Sequence, residues 1–171
     1  VDYLTAATRG ILSKAGPEIT AHGKHVVVVG GGDTGNDCVG TALRQGCQSV
    51  TQLEMMPKPP EGRPKGNPWP QWPRVLRTDY GQMEAIAVQG GDPRTYETTV
   101  KSIEINSENQ IVSLETVRLQ FMGGKPQPIP GTEQAWPCDL MLIAAGFVGC
   151  EEETAKTFEL TADARGRILP K

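Results

Sequence analysis

The chain has 171 residues, with 17 Lys and Arg against 20 Asp and Glu for a formal net charge of −3, a length that predicts one compact domain with room for two small ones. Hydrophobic residues make up 37% before the 20 Gly are added, a globular share that excludes a disordered chain. The slight acidity argues against a dedicated nucleic-acid binder, whose surface carries a Lys/Arg surplus. The longest apolar runs, Val26 to Val29 and Leu140 to Ala145, fall far short of the roughly 20 residues of a membrane-spanning helix. Partners are therefore expected to be small molecules or proteins, in a cytoplasmic setting. No secretory signal opens the chain, and a start at Val1 reads as an excised fragment. Cys38, Cys47, Cys138 and Cys150 form no CxxC and stand in no zinc-like spacing with His22 or His25, so reduced structural thiols are expected and no metal site.

From the N-terminus, Tyr3, Leu4, Ala7, Ile11 and Leu12 recur at helical spacing until Gly16 and Pro17, predicting a short amphipathic helix over 1–14. After a polar joint, His25 to Val29 is a β-branched run without alternation, the pattern of a central strand covered on both faces of a parallel sheet. Asp33 is placed to cap a helix whose apolar face, Cys38, Val39, Ala42 and Leu43, ends at Gly46. Ser49 to Leu53 resumes a strand and completes a βαβ unit. Between Met56 and Pro73 lie seven of the 14 Pro and two of the three Trp, which excludes regular helix and central strand. That loop is either functional or a surface excursion pinned to the core by Trp69 and Trp72. A helix is predicted over 79–89, a hairpin from Tyr96 to Ile105 and Gln110 to Phe121 around Asn106 to Asn109, and an edge strand or loop over 126–131 that makes a three-stranded meander. Leu140 to Ala144 reads as a second buried strand and Glu151 to Phe158 as a short helix.

The chemistry is concentrated where the first strand ends. Gly30, Gly31, Gly32, Asp33, Thr34 and Gly35 spell GGGDTG and satisfy GxGxxG. In that pattern the first glycine permits a tight turn, the second removes a side chain that would block a diphosphate, and the third lets helix and strand approach. Amides at the helix start then face negative charge. Glu54 ends the second strand, 19 residues after Gly35, the distance at which a carboxylate accepts from the adenosine ribose hydroxyls and repels a 2′-phosphate. Against this stand Lys58, Arg63, Lys65, Arg74 and Arg77, cations available to pair with a 2′-phosphate, to face solvent, or to dock an acidic protein.

GGGDTGNDCVGTALRQG, VTQLEMMPKPP, GNPWPQWPR, DYGQMEA, DPRTYE and DLMLIAAGFVG together resemble the small (β) subunit of glutamate synthase, from about Asp2 to the C-terminus. The resemblance implies an NAD(P)H domain inserted within an FAD domain, with electrons passing from nicotinamide to FAD. They then travel to the glutamate synthase large subunit, which makes glutamate from glutamine and 2-oxoglutarate. It implies an α/β fold: a Rossmann-like three-layer NAD(P)-binding domain with a parallel sheet and a β-meander crossover over 24–150, flanked by pieces of a truncated FAD domain at 1–23 and 151–171. The FAD fingerprint would lie upstream of Val1 and the terminal FAD contact downstream of Lys171, so nucleotide binding without turnover is expected.

By the same resemblance, Gly30 to Gly35 take the diphosphate role, and Ala145 and Gly146 match a small-residue turn beside the nicotinamide, where glycine lets backbone approach a flat ring. Met55 and Met56 stand where many NADPH-using members carry two arginines, which favours NADH, with Lys58 or Arg63 as substitutes. No catalytic acid or base stands out, and His22 and His25 fall at the wrong end of the strand. The alternatives are a non-catalytic nucleotide-sensing or protein-docking module on the same fold, and a methyltransferase using S-adenosylmethionine.

Overall fold

The structure, a computed structural model, describes residues 1–170. Its elements, in chain order, are α1 (Asp2–Ser13), β1 (His25–Val29), α2 (Asp33–Arg44), β2 (Ser49–Leu53), α3 (Tyr80–Gln89), β3 (Arg94–Thr95), β4 (Thr98–Ile105), β5 (Ile111–Met122), β6 (Lys125–Pro128), β7 (Gln134–Pro137), β8 (Leu140–Ile143) and α4 (Glu152–Thr157). Four strands pair in parallel in the order β3-β2-β1-β8. The Val-rich β1 is central, as its unbroken apolar run requires, since such a strand gains about 1.5–3 kcal/mol per fully buried Val only if both faces are covered.

Alternation along β1 sorts its valines between two cores. Val26 and Val28 face the helices, with Val39, Ala42, Val50, Ala85 and Leu142. Val27 turns to the other side, joining Leu53, Leu114 and Cys138 with Val100 and Trp136 packed around them. One face of the sheet is thus covered by helices and the other by an antiparallel layer, giving the three layers expected of this α/β, Rossmann-like fold. α1 joins the helical side through Tyr3, whose hydroxyl donates to Gln45 Oε1 at 3.0 Å.

The antiparallel layer is built on β5, which pairs with β4 along one edge and then successively with β7 and β6. The meander therefore has a fourth piece, β7, held over Ser113–Thr116, for which the sequence predicted no element. β3 was also unanticipated; two residues are too few for a periodic signal, and it is recruited to the sheet edge by pairing with Gln52 and Leu53.

Two further expectations are corrected. Asp33 is the first residue of α2 and not its cap; the N-cap is Gly32, and no side chain caps the helix. Trp69 and Trp72 do not pin the Pro-rich loop, for they are 83% and 73% exposed. The loop folds on Asn67 instead, whose buried amide donates to Gln71 Oε1 and Trp72 O at 3.1 Å each and accepts from Arg74 N at 2.7 Å. A proline-rich stretch has few amides to pair, and one side chain supplying two donors and an acceptor closes it without secondary structure. The loop then enters α3 through an Asp79/Gln82 capping box. At the other end, the C-terminal segment is tied mainly to itself, by a bridge between Ala162 and Ile168 and by Cys150 N to Gly166 O at 2.8 Å, and α4 buries no residue.

Candidate functional site

β1, β2 and β8 end side by side, and beyond their carboxyl ends opens a cavity of about 550 Å³. The glycine turn Gly30 to Thr34 forms one wall, Ala144 to Phe147 another, and Leu53 to Met56 a third. An open α/β sheet binds its ligand at this edge, where helix N-termini converge and loops are free to vary. Thr98 and Thr99 from the antiparallel layer also line it.

Each glycine of the turn has its own neighbour. Gly30 has φ 125°, and a Cβ there would overlap the Ala144 carbonyl. A Cβ on Gly31 would overlap the Glu54 carboxylate. Gly35 lies over the Gly30 carbonyl and the Gln52 amide, so α2 starts close against the sheet. Around Gly32 there is open space on the side where its Cβ would stand. A side chain there would fill the cradle in front of the uncapped start of α2, whose amides carry about half a positive charge. No Lys, Arg or His lines the cavity among the described residues, so an anion bound there would be held by amides and the helix dipole.

Glu54 is half-buried between two cavities. Its Oε1 accepts from Met56 N at 2.7 Å, and its other oxygen rests on Gly31. With Gly31 and Met56 it forms the border of a second cavity of about 340 Å³, roofed by the Pro-rich loop with Arg74 and Arg77 and floored by Arg94 and Tyr96. Arg94 is neutralised: Nε and Nη2 form a two-pronged pair with Asp92 at 2.8 and 2.7 Å, and Nη1 donates to Arg77 O at 2.6 Å. The guanidinium hydrogen bonds hold the Asp92 carboxyl below the usual carboxylate range. Arg77 stacks over Trp72, 4.5 Å from the ring centre, and neither it nor Arg74 forms an ion pair among the described residues.

Of the residues singled out in the sequence, Gly30, Gly31, Gly32, Asp33, Thr34, Glu54, Ala145 and Gly146 meet around the first cavity, and Gly35 stands behind its wall. Lys58 is exposed and lines neither cavity. His25 lies at the far end of β1, bonded to Ser49 Oγ at 2.8 Å. Burial raises the thiol pKa of Cys38, Cys47 and Cys138, which disfavours thiolate. Missed in the sequence were Thr98, Thr99 and Phe147 on the walls, which carry no local motif, and a buried chain of amides behind the turn. In that chain Gln52 Nε2 donates to Gly30 O at 2.9 Å and Gln82 Nε2 donates to Gln52 Oε1 at 3.1 Å. For Gln52 a signal existed: alternation with Val50 puts an amide on the helix-facing side of a buried strand.

The chain is 40% identical, over an alignment of 176 residues, to the glutamate synthase [NADH] of Schizosaccharomyces pombe, covering 98% of this chain and 8% of that protein. It is 40% identical over 166 residues to the glutamate synthase [NADPH] small chain of Bacillus subtilis, covering 92% of this chain and 34% of that one. The chain thus spans about a third of the bacterial small chain and under a tenth of the fungal enzyme. Among solved structures, the bacillithiol disulfide reductase Bdr from Bacillus cereus has a TM-score of 0.52 at 16% identity over 88% of this chain and 37% of that one, a likeness of fold alone. No protein-family model matches.

Proposed function

This chain is a homologue of one segment of the glutamate synthases, and from that premise we propose that it is their NAD(P)H-binding domain, which holds the reduced nicotinamide for hydride transfer to FAD. Electrons then reach a large subunit that forms glutamate from glutamine and 2-oxoglutarate, in the cytoplasm. Residues 24–150 form the nucleotide domain in this reading, with 1–23 and 151–171 as flanking pieces of an FAD domain. The observation that carries it is the first cavity, where a glycine turn leading into an uncapped helix faces a second small-residue turn across the ends of three parallel strands.

The residues fit such a nucleotide. Gly32 leaves the space that a diphosphate needs and the α2 amides supply its donors. The Glu54 carboxylate, held by Met56 N, keeps one oxygen for the ribose hydroxyls. Ala145 and Gly146 present bare backbone on the wall opposite, where a flat ring is able to lie against it, and Met55 and Met56 give the adenine an apolar edge. Bound NAD(P)H would supply the hydride; the chain's share is binding, orientation and exclusion of water. With no Lys, Arg or His on the cavity wall among the described residues and a carboxylate beside the ribose, the site favours NADH, and Lys58 lines neither cavity. Arg74 and Arg77 of the neighbouring cavity, without an ion pair among the described residues, moderate that preference without cancelling it.

Calorimetric titration with NADH and NADPH tests this on the protein and on Glu54→Ala. Both nucleotides bind the unaltered protein, NADH more tightly, and the substitution narrows the preference by about tenfold, the worth of one repelled phosphate charge at a solvated edge. Absence of heat with either nucleotide overturns the reading. In the flavin-containing polypeptide of which this chain would be a domain, anaerobic mixing with NADH bleaches the flavin; nucleotide binding without bleaching would identify a sensor.

A further inference from the structure

Behind the glycine turn lies a run of side-chain amides with no counterpart elsewhere in the core among the described residues. Gln52 is fully buried, on the helix-facing side of β2 where a valine or leucine would continue the packing of Val50. Its Nε2 donates to Gly30 O at 2.9 Å, and its Oε1 accepts from Gln82 Nε2 at 3.1 Å. Gln82 Oε1 in turn accepts from Asp79 N at 2.7 Å, at the cap of α3. Asn36, also buried, accepts from Gly81 N at 2.9 Å and so holds the same end of α3 against α2. Every buried side-chain polar atom among the described residues has a partner.

We propose that Gln52 is a positioning residue for the nucleotide site, setting the peptide plane between Gly30 and Gly31 so that the Gly31 N–H is presented to the diphosphate. The inference rests on the nucleotide reading above. A trans peptide points its C=O and N–H in opposite directions. Anchoring Gly30 O on the buried Gln52 amide therefore turns the Gly31 N–H away from the interior, toward the side on which Gly31 lines the cavity. That N–H makes no hydrogen bond of its own among the described residues. Gly30, at φ 125°, and Gly31 have no Cβ to restrain the plane, so a backbone with this freedom needs an external hold. Gly35 is part of the device, because only a residue without a Cβ leaves room for Gly30 O and Gln52 Nε2 beneath α2. Packing alone has no use for the amide, since burying it costs more than a hydrocarbon would and its hydrogen bonds only offset that cost. Gln82 holds the far side of Gln52, which fixes the rotamer that reaches Gly30.

Two variants separate positioning from bulk stability. Gln52→Leu takes the partner from Gln82 Nε2 and from Gly30 O and loosens the fold as well as the site. Gln52→Leu with Gln82→Met removes both buried amides together; it leaves Gly30 O and Asp79 N without these partners, so it is expected to melt several degrees below the unaltered protein and to stay folded at about 25 °C. Calorimetry with ADP-ribose and with adenosine then gives the answer. In the double variant ADP-ribose binds about tenfold more weakly, the worth of one charge-assisted donor, while adenosine, which has the ribose but no phosphate, binds unchanged. ADP-ribose affinity kept within about twofold overturns the proposal, as does an equal loss for both ligands, which is general loosening. If the unaltered protein binds neither ligand, the nucleotide reading itself falls and this inference with it. In the unaltered protein the Gly31 amide resonance moves with ADP-ribose and not with adenosine; a resonance that stays put under saturating ADP-ribose overturns the assignment even if no variant folds.

Discussion

Gly32 and Gly35 stand three positions apart in one turn and carry opposite burdens. Gly32 has an ordinary φ of −81° and empty space where a Cβ would stand, so the backbone there does not need glycine. Gly35 is walled in by Gly30 O and the Gln52 amide. Gly32→Ala therefore changes unfolding free energy by no more than about 1 kcal/mol, a small cap loss set against reduced chain entropy, yet it puts a methyl group in the cradle and weakens NADH binding by tenfold or more. Gly35→Ala costs about 2–3 kcal/mol, since neither a carbonyl nor a fully bonded amide can yield. Urea titration and calorimetry on the two variants check the contrast; a Gly32→Ala protein as unstable as Gly35→Ala would show that the turn is built for folding alone. At this scale the sequence named the glycines and Glu54 because their spacing is a chemical pattern. It did not disclose that Gly31 is the seat of the Glu54 carboxylate or that Gln52 stands behind Gly30, because those contacts join separate strands and only the paired register of β1 and β2 brings them together.

At the level of elements, those with a sustained period were legible: β1, α2, β2, α3, the β4–β5 hairpin and β8 lie within a residue or two of where the pattern puts them. The failures share a cause. β3 and β7 are short strands defined by the neighbour they pair with, and residue size makes anchors of Trp69 and Trp72 in only one of two readings of the Pro-rich loop, whereas in the structure they are left outside while the small polar Asn67 goes in. The loop contributes nothing to either core cluster, so its order and the global fold are separable. Asn67→Ala strands the Arg74 amide and frees the Trp72 carbonyl, at about 1–2 kcal/mol of local stability. Hydrogen exchange at Arg74 and tryptic cleavage after Arg63 or Lys65 accelerate by roughly tenfold, while the melting midpoint holds within about 2 °C. Unchanged exchange at Arg74 would mean that the loop is secured by something other than Asn67.

For the molecule as a whole, the joint between the loop, the exit of α3 and the edge of the parallel sheet is Arg94. Its guanidinium reaches Asp92, Arg77 O and Thr78 Oγ1 at once, with its side chain only 6% exposed. The Asp92 carboxyl is held below its ordinary pKa first by hydrogen bonds from Arg94, burial opposing them. A depressed folded-state pKa means that the unfolded chain binds the proton more readily. The pair's stabilisation is thus fully present above the unfolded value, near pH 4, and is lost as pH falls through the lower folded value. Asp163 is held low in the same way by Arg167, but in the C-terminal segment, which adds no residue to either core, so its titration is not felt by the main transition. Asp92→Asn is expected to cost about 1 kcal/mol at pH 7, the discounted worth of a two-pronged ion pair one-third open to water. Urea unfolding followed from pH 7 to pH 2 shows the gap between the two proteins closing below about pH 4. A gap that stays constant across that range would place the cost in lost packing, and Arg94 would then be held by its carbonyl and hydroxyl partners alone.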